Sequence, residues 1–569
     1  MISLSMAAPG ISLMTAEAAS PQPAVAEDPA TTVFYNADVV TVADSQPAAQ
    51  ALAVRGGLVL AVGSRDEVTA VAGSNVILRD LKGKTIVPGL IDAHGHLSMT
   101  STSMGFANVQ PPPAGPVRSI VDLQRALRQW QQDNPASEWI LGWGYDDSLL
   151  AEGRHPTRKD LDQVSKDKPV FLVHVSGHLL ACNSKCLELA DISAATENPA
   201  GGVIQRFPGG NEPNGVVEEN AMWSIYRLLP QPTPAQSMAL MDKAQQYMAS
   251  HGITTVQDGA VMAGALPLLQ EAASSGRFYL DVVAYSFLKQ GDTIPAEFAP
   301  ADAYTGHFRI GGIKLVLDGS PQGKTAWLTR PYLHPPAGES KAYLGYPTME
   351  DGTVNDLVES AFSRSIPLLA HANGDAAADQ YIAAVTAANA ALGRADRRPV
   401  MIHAQTVRED QLDQMRLQGI TPSYFVSHTF FWGDWHRDSV FGETRAARIS
   451  PLRSTQERGM RFTTHNDTPV TPPDMMRLLW SGVNRLTRSG QVLGPEQRVA
   501  PLAMLKSMTI DAAYQYFEED RKGSIEAGKV ADLVVLSANP LKVAAADIKD
   551  IQVLETIKEG KTVYVRQPQ

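Results

Sequence analysis

His94 and His96 stand two residues apart at the end of the apolar run 85–91, a spacing that suits the capture of a cation. In a strand, side chains at i and i+2 share a face. Both imidazoles would then point the same way at the strand's C-terminal end, where one divalent metal can take both. A lone His-x-His is common, so the other ligands must come from elsewhere in the chain. Later runs supply them: Lys314, His371, His403 and Asp467 each fall in or near the end of an apolar stretch. Taken singly, each has an ordinary explanation. Lys314 would serve as a buried ion-pair partner, the histidines as satisfied polar groups, and Asp467, before Thr468-Pro469, as a turn residue. Their shared position at run ends is what points to one metal centre.

The elements that must place them follow from hydrophobic patterning. Strand-like runs at 253–258, 279–284, 313–318, 366–371, 400–403, 420–426 and 460–465 alternate with helical stretches. Together with 85–91 they make eight, the number that closes a (β/α)8 TIM-like barrel, whose active sites sit at the strands' C-terminal ends. The fold class is therefore α/β. Short strands at 32–37, 51–54 and 58–63 are matched near the other end by 531–536, 551–557 and 562–565. They predict a small β-sandwich domain built from both termini, 31–84 with 519–569, around a catalytic barrel spanning 85–518. The interval 98–248 is too long for one barrel helix. It reads as an insertion beside or over the barrel mouth, with its own apolar run at 170–175, a helix around 120–130 and a Gly/Pro/Asn-rich stretch at 207–215.

A chain of 569 residues, 44% hydrophobic and 19% charged, is an ordinary globular protein of more than one domain. Its formal charge of -11 argues against nucleic acid or an anionic membrane as the main partner and is silent about a small-molecule substrate. It leaves homo-oligomer formation open. No segment is apolar and long enough to span a bilayer. The only cysteines, Cys182 and Cys186, cannot make a disulfide framework and read as buried small residues. Residues 1–30 are rich in Ala, Ser and Pro and lack the basic start and strong apolar core of a secretory signal. They read as a disordered leader or signal remnant, which leaves cytoplasmic and exported locations both open.

The stretch Ile86-Val87-Pro88-Gly89-Leu90-Ile91-Asp92-Ala93-His94-Gly95-His96 resembles the opening signature of the amidohydrolase superfamily. Residues 523–534, from Gly523-Ser524-Ile525 to Asp532-Leu533-Val534, resemble its closing signature. Lys314 to Ser320, His371-Ala372-Asn373-Gly374-Asp375, Ile402-His403-Ala404-Gln405 and Gly177-His178 with Asn183-Ser184 are similar to amidohydrolase family 3, the branch containing N-substituted formamide deformylases. By that resemblance His94 and His96 would bind a deeper metal, and His371 and His403 an outer one. Lys314 would bridge them after carboxylation, and Asp467 would sit beside the metal-bound water. The chemistry agrees: an ammonium cannot coordinate a cation, whereas a carbamate offers two oxygens. Metals about 3.5–4 Å apart can share a hydroxide and lower its pKa, and Asp467 could orient it and carry its proton to the leaving group. Zinc suits this histidine-rich set, although nickel, cobalt, iron and manganese use similar ligands.

One motif departs from the family. Where Gly-Ser-Asp before proline is usual, this chain has His465-Asn466-Asp467-Thr468-Pro469. His465 shares a strand face with Asp467 and is placed to touch substrate, tune the aspartate, or simply pack. His178 is expected to polarise the carbonyl or anchor the acyl side. His428 and Trp432 belong to the aromatic stretch 430–436 and its lead-in, read either as a pocket wall or as a packed loop. Asp318, a turn carboxylate, is a weak site candidate. The expected function is metal-dependent hydrolysis of a non-peptide carbon–nitrogen bond, a linear amide, through a metal-activated hydroxide. The alternatives are a deaminase of a heterocycle with one metal on His94, His96, His371 and Asp467, an ester or lactone hydrolase, and a binding protein that has kept the barrel without catalysis.

Overall fold

The long apolar runs end up as buried parallel strands. The computed structural model describes residues 30–336 and 338–567, so the leader expected over 1–30 lies outside the described residues except for Ala30. One sheet holds eight parallel strands in sequential order: β1 (Leu90–Ile91), β2 (Ile253–Val261), β3 (Asp281–Leu288), β4 (Phe308–Val316), β5 (Leu368–Ala372), β6 (Val400–His403), β7 (Thr421–Tyr424) and β8 (Thr463–Thr464). Such near-continuous burial suits a parallel sheet covered on both faces. The helix Asp351–Ser363 shows how the outside is covered: it buries Val354, Leu357, Val358 and Ala361, one helical stripe. The curled sheet closes at its mouth. Beyond β1 and β8, Asp467 N donates to His94 O at 3.2 Å and His96 N to Thr468 O at 2.9 Å. This is the expected barrel.

The run 85–91 is not one strand. Thr85–Pro88 pairs with Leu533–Leu536 and Asp38–Val40 in a six-stranded mixed sheet drawn from both termini, and only Leu90–Ile91 enters the barrel. Gly89 is the crossing point. A Cβ there would lie 2.3 Å from Thr254 Oγ1 and 2.8 Å from Asp532 Cβ, so nothing larger fits between barrel and terminal sheet. A second, four-stranded sheet holds Thr31–Tyr35, Ala51–Arg55, Leu58–Gly63 and Val76–Asp80. A buried charge knot fixes the six-stranded sheet to the barrel floor: Asp281, the first residue of β3, meets Lys522 and, at 2.8 Å, Lys558, which also reaches Asp532 at 2.9 Å.

Between β1 and β2 the chain builds a further six-stranded mixed sheet, including Ile140–Tyr145, Val170–His174, Leu179–Cys182 and Pro213–Glu219. The helix expected near 120 forms as Ile120–Asp133, with Ser119 accepting from Asp122 N at its start. Cys182 and Cys186 are buried as expected, and they are also joined as a disulfide, which their sequence spacing alone did not indicate. Among the described residues no helix is long and apolar enough to cross a membrane.

Candidate metal centre and active site

The strand ends bring His94, His96, Lys314, His371, His403 and Asp467 to one place. Asp467 Oδ1 lies 3.1 Å from His96 Nε2 and 3.4 Å from His94 Nε2, and its Oδ2 lies 3.9 Å from His403 Nε2. Lys314 Nζ is 3.1 Å from His94 Nε2. The His371 and His403 rings are 4.5 Å apart, centre to centre, and those of His94 and His403 are 5.6 Å apart. Two of these residues sit in strained backbone, with φ of 70° at His403 and 55° at Asp467. L-residues hold such angles only where the surroundings dictate them.

Each anchored imidazole is held by its outward nitrogen. His94 Nδ1 donates to Gln257 Oε1 at 2.5 Å, and the Gln257 amide is itself fixed by donating to Ala93 O and Tyr516 OH, each at 3.0 Å. His371 Nδ1 donates to Asp318 Oδ1 at 3.1 Å, while Asp318 also accepts from the backbone N–H of Asn373, Gly374 and Trp327. His403 Nδ1 lies 3.1 Å from His465 Nε2. Outward partners of this kind fix the tautomer and turn the inward nitrogen toward the centre, where the Asn373 amide meets His371 Nε2 at 3.2 Å and Lys314 Nζ meets His94 Nε2.

The electrostatics suit metal ligation. Burial pushes the imidazoles of His94, His371 and His403 well below their ordinary value, so each is neutral with a lone pair to give. Burial also pushes the Lys314 amine down to about 7, so near neutral pH a large share of it is uncharged and able to take up carbon dioxide. For Asp467 burial pulls upward, but the close approach of His96 and the neighbouring His465 and Lys314 outweigh it and hold the carboxyl at about 2. Asp467 Oδ1 is buried, yet no neighbour meets it with hydrogen-bond geometry. A fixed carboxylate oxygen and neutral imidazoles, with a lysine amine that gives up its proton easily, are a donor set that fits divalent metal.

The insertion reaches the barrel mouth. His178, in the turn before Leu179–Cys182, lies tilted against His371 with ring centres 4.8 Å apart, and its Nδ1 donates to Glu219 Oε2 at 2.8 Å. Burial lowers His178, but the Glu219 carboxylate outweighs it and raises the imidazole above its ordinary value. A narrow, mostly polar cavity is lined by Ser176, His178, Gln322, Asn373, His428 and Asp467 among others. Gln322 Oε1 and Asn373 Oδ1, both buried there, have no hydrogen-bond partner.

Two expected substrate contacts lie one layer further out. Trp432 packs 4.6 Å behind His428, its indole N–H donating to Asp146 Oδ2 at 2.7 Å, and it does not line the cavity. His465 is fully buried between Ser423 and His403 and is also absent from the lining. The aromatic stretch is thus mainly packing, with Phe425 and Val470 the apolar residues that face the cavity. Sequence reasoning missed Gln257 and Glu219. Gln257 stands beside Asp258 at the end of the apolar run 253–258, a signal that was there to read. Glu219 gave none, because its partner lies across an antiparallel pairing in the insertion.

A sequence profile of the amidohydrolase family matches residues 78–564. The chain is 29% identical over 559 residues to an N-substituted formamide deformylase of Arthrobacter pascens, covering 94% of this chain and 98% of that protein. Two solved structures described as uncharacterised metal-dependent hydrolases share the fold. The one from Pyrococcus horikoshii OT3 has a TM-score of 0.69 at 23% identity, covering 91% of this chain and 99% of that one. The one from Pyrococcus furiosus has 0.66 at 25%, covering 90% and 100%.

Proposed function

Since the chain belongs to the amidohydrolase family, we propose that this metal-dependent hydrolase of non-peptide carbon–nitrogen bonds cleaves a linear amide with a small acyl group. The observation that carries the reading is the fully buried Lys314, its Nζ 3.1 Å from His94 Nε2 at the strand ends that also carry His96, His371 and His403. His94 and His96 would hold one divalent metal and His371 and His403 a second, with Lys314 as a carbamate between them. Bound metal supplies Lewis acidity toward the carbonyl and lowers the pKa of the attacking water.

The chain's own groups do the rest. Asp467 orients the water through a carboxylate held at about 2, takes its proton, and returns it to the amine nitrogen as the carbon–nitrogen bond breaks. His178, held by Glu219, presents its Nε2 edge to the cavity and donates to the carbonyl or acyl side. Gln322 and Asn373 offer unpaired carboxamide oxygens to a substrate N–H. The narrow cavity limits the acyl side to a small group, in keeping with the similarity to a formamide deformylase. A one-metal deaminase would have no use for Lys314 at 3.1 Å from a ligand nitrogen. The test is a panel of linear amides, esters and lactones offered to zinc-loaded protein. Turnover of small N-acyl amines supports the reading, and inactivity across the whole panel despite full metal loading rejects it.

A further inference from the structure

His465 joins three neighbouring strands through its ring. It extends directly from β8, its Nδ1 lies 2.9 Å from Ser423 Oγ on β7, and its Nε2 lies 3.1 Å from His403 Nδ1 at the end of β6. The ring is fully buried and packs against Phe425, 5.3 Å away, so it cannot turn to another partner without opening the core. His403 is held in left-handed backbone together with Ala404, at φ of 70° and 45°, which fixes where its ring begins.

The hydrogen bonds admit one useful direction. For His403 to offer a lone pair at Nε2, its Nδ1 must carry the proton and donate it to His465 Nε2. His465 then carries its own proton on Nδ1 and donates it to Ser423 Oγ. In the opposite direction His403 Nε2 would be protonated and could ligate nothing. The other two anchored ligands use a carboxamide oxygen and a carboxylate oxygen, which only accept. We infer that His465, backed by Ser423, is a positioning residue that fixes the ring and tautomer of His403 and thereby sets the affinity of the outer metal subsite. The inference rests on the two-metal reading above.

The test measures zinc per chain by elemental analysis after dialysis against a chelator, and zinc affinity by titration of apo-protein. The proteins are wild type, His465→Leu, His465→Gln and Ser423→Ala, with apo-protein melting as the check on folding. His465→Leu keeps bulk and loses the acceptor, and it should retain one zinc while the second binds about 10–100-fold more weakly. His465→Gln keeps an acceptor oxygen and should restore the second site, and Ser423→Ala should fall between. Should His465→Leu fail to fold, Ser423→Ala carries the same test. Two zinc ions at wild-type affinity in folded His465→Leu, or in Ser423→Ala where it stands in, overturn the inference alone, as does equal loss in His465→Leu and His465→Gln. A wild type that takes up fewer than two zinc ions overturns the two-metal reading itself, and the inference with it.

Discussion

Gly259 on β2 is the most exposing place to perturb the centre without touching a ligand. Its Cα faces the His94 ring: a Cβ there would lie 2.5 Å from Cε1, 2.7 Å from Nδ1 and 2.8 Å from Gln257 Oε1. Ordinary contact begins near 3.4 Å, so Gly259→Ala must drive ring and strand apart by roughly 1 Å. The backbone cannot give way easily, because Gly259 N donates to Gly95 O at 2.8 Å, and the ring is tied to Gln257. Metal ligands tolerate only about 0.2 Å of error. A 1 Å misplacement costs on the order of 100-fold in rate, or about 2.7 kcal/mol of transition-state stabilisation. Elemental analysis and kcat/KM on the best amide, beside apo-protein melting, read the outcome. Gly264→Ala, where a Cβ meets nothing within 4 Å, should change neither. If Gly259→Ala keeps full metal and full kcat/KM, the packing of His94 does not set the site.

Two further perturbations follow from buried carboxyls. Asp318→Asn puts an amide where two oxygens accept from His371 Nδ1 and three backbone N–H groups. Zinc binding to apo-protein should weaken by about 10–100-fold, and an unchanged titration would show that His371 needs no such anchor. Glu218, in the insertion strand Pro213–Glu219, is raised from 4.5 to about 7 by burial, although Gln205 and Tyr346 donate to it. The folded protein therefore holds that proton more tightly than the unfolded chain. Its contribution is full below 4.5, falls as the pH rises to about 7, and stays lost above. Glu218→Gln should gain about 3 kcal/mol on wild type between pH 4 and pH 8 in urea unfolding, whereas a pH-independent difference would reject the assignment.

Much of the fold was legible because a parallel sheet covered on both faces writes itself as apolar runs, and because polar ligand types recur where those runs stop. His94, Lys314, His371 and His403 stand out at run ends for that reason. The run 85–91 misled because apolar patterning does not record which sheet a strand joins, and the turn-over at Gly89 depends on Thr254 and Asp532, which arrive from far along the chain. Which ligand each outward anchor would meet was hidden for the same reason. Gln257 meets His94 across 163 residues, and Asp318 meets His371 across 53. His465 and Trp432 show the remaining gap: strand parity gives a face but not a depth, and both side chains stop one layer behind the cavity.

In the proposed mechanism Lys314 completes a centre for two metals. Elemental analysis of protein purified without added metal, wild type beside Lys314→Ala, tests it most directly. Two divalent metals per wild-type chain are expected, with loss of metal and of amide hydrolysis in Lys314→Ala. One metal per chain, with Lys314→Ala retaining both that metal and activity, would contradict it.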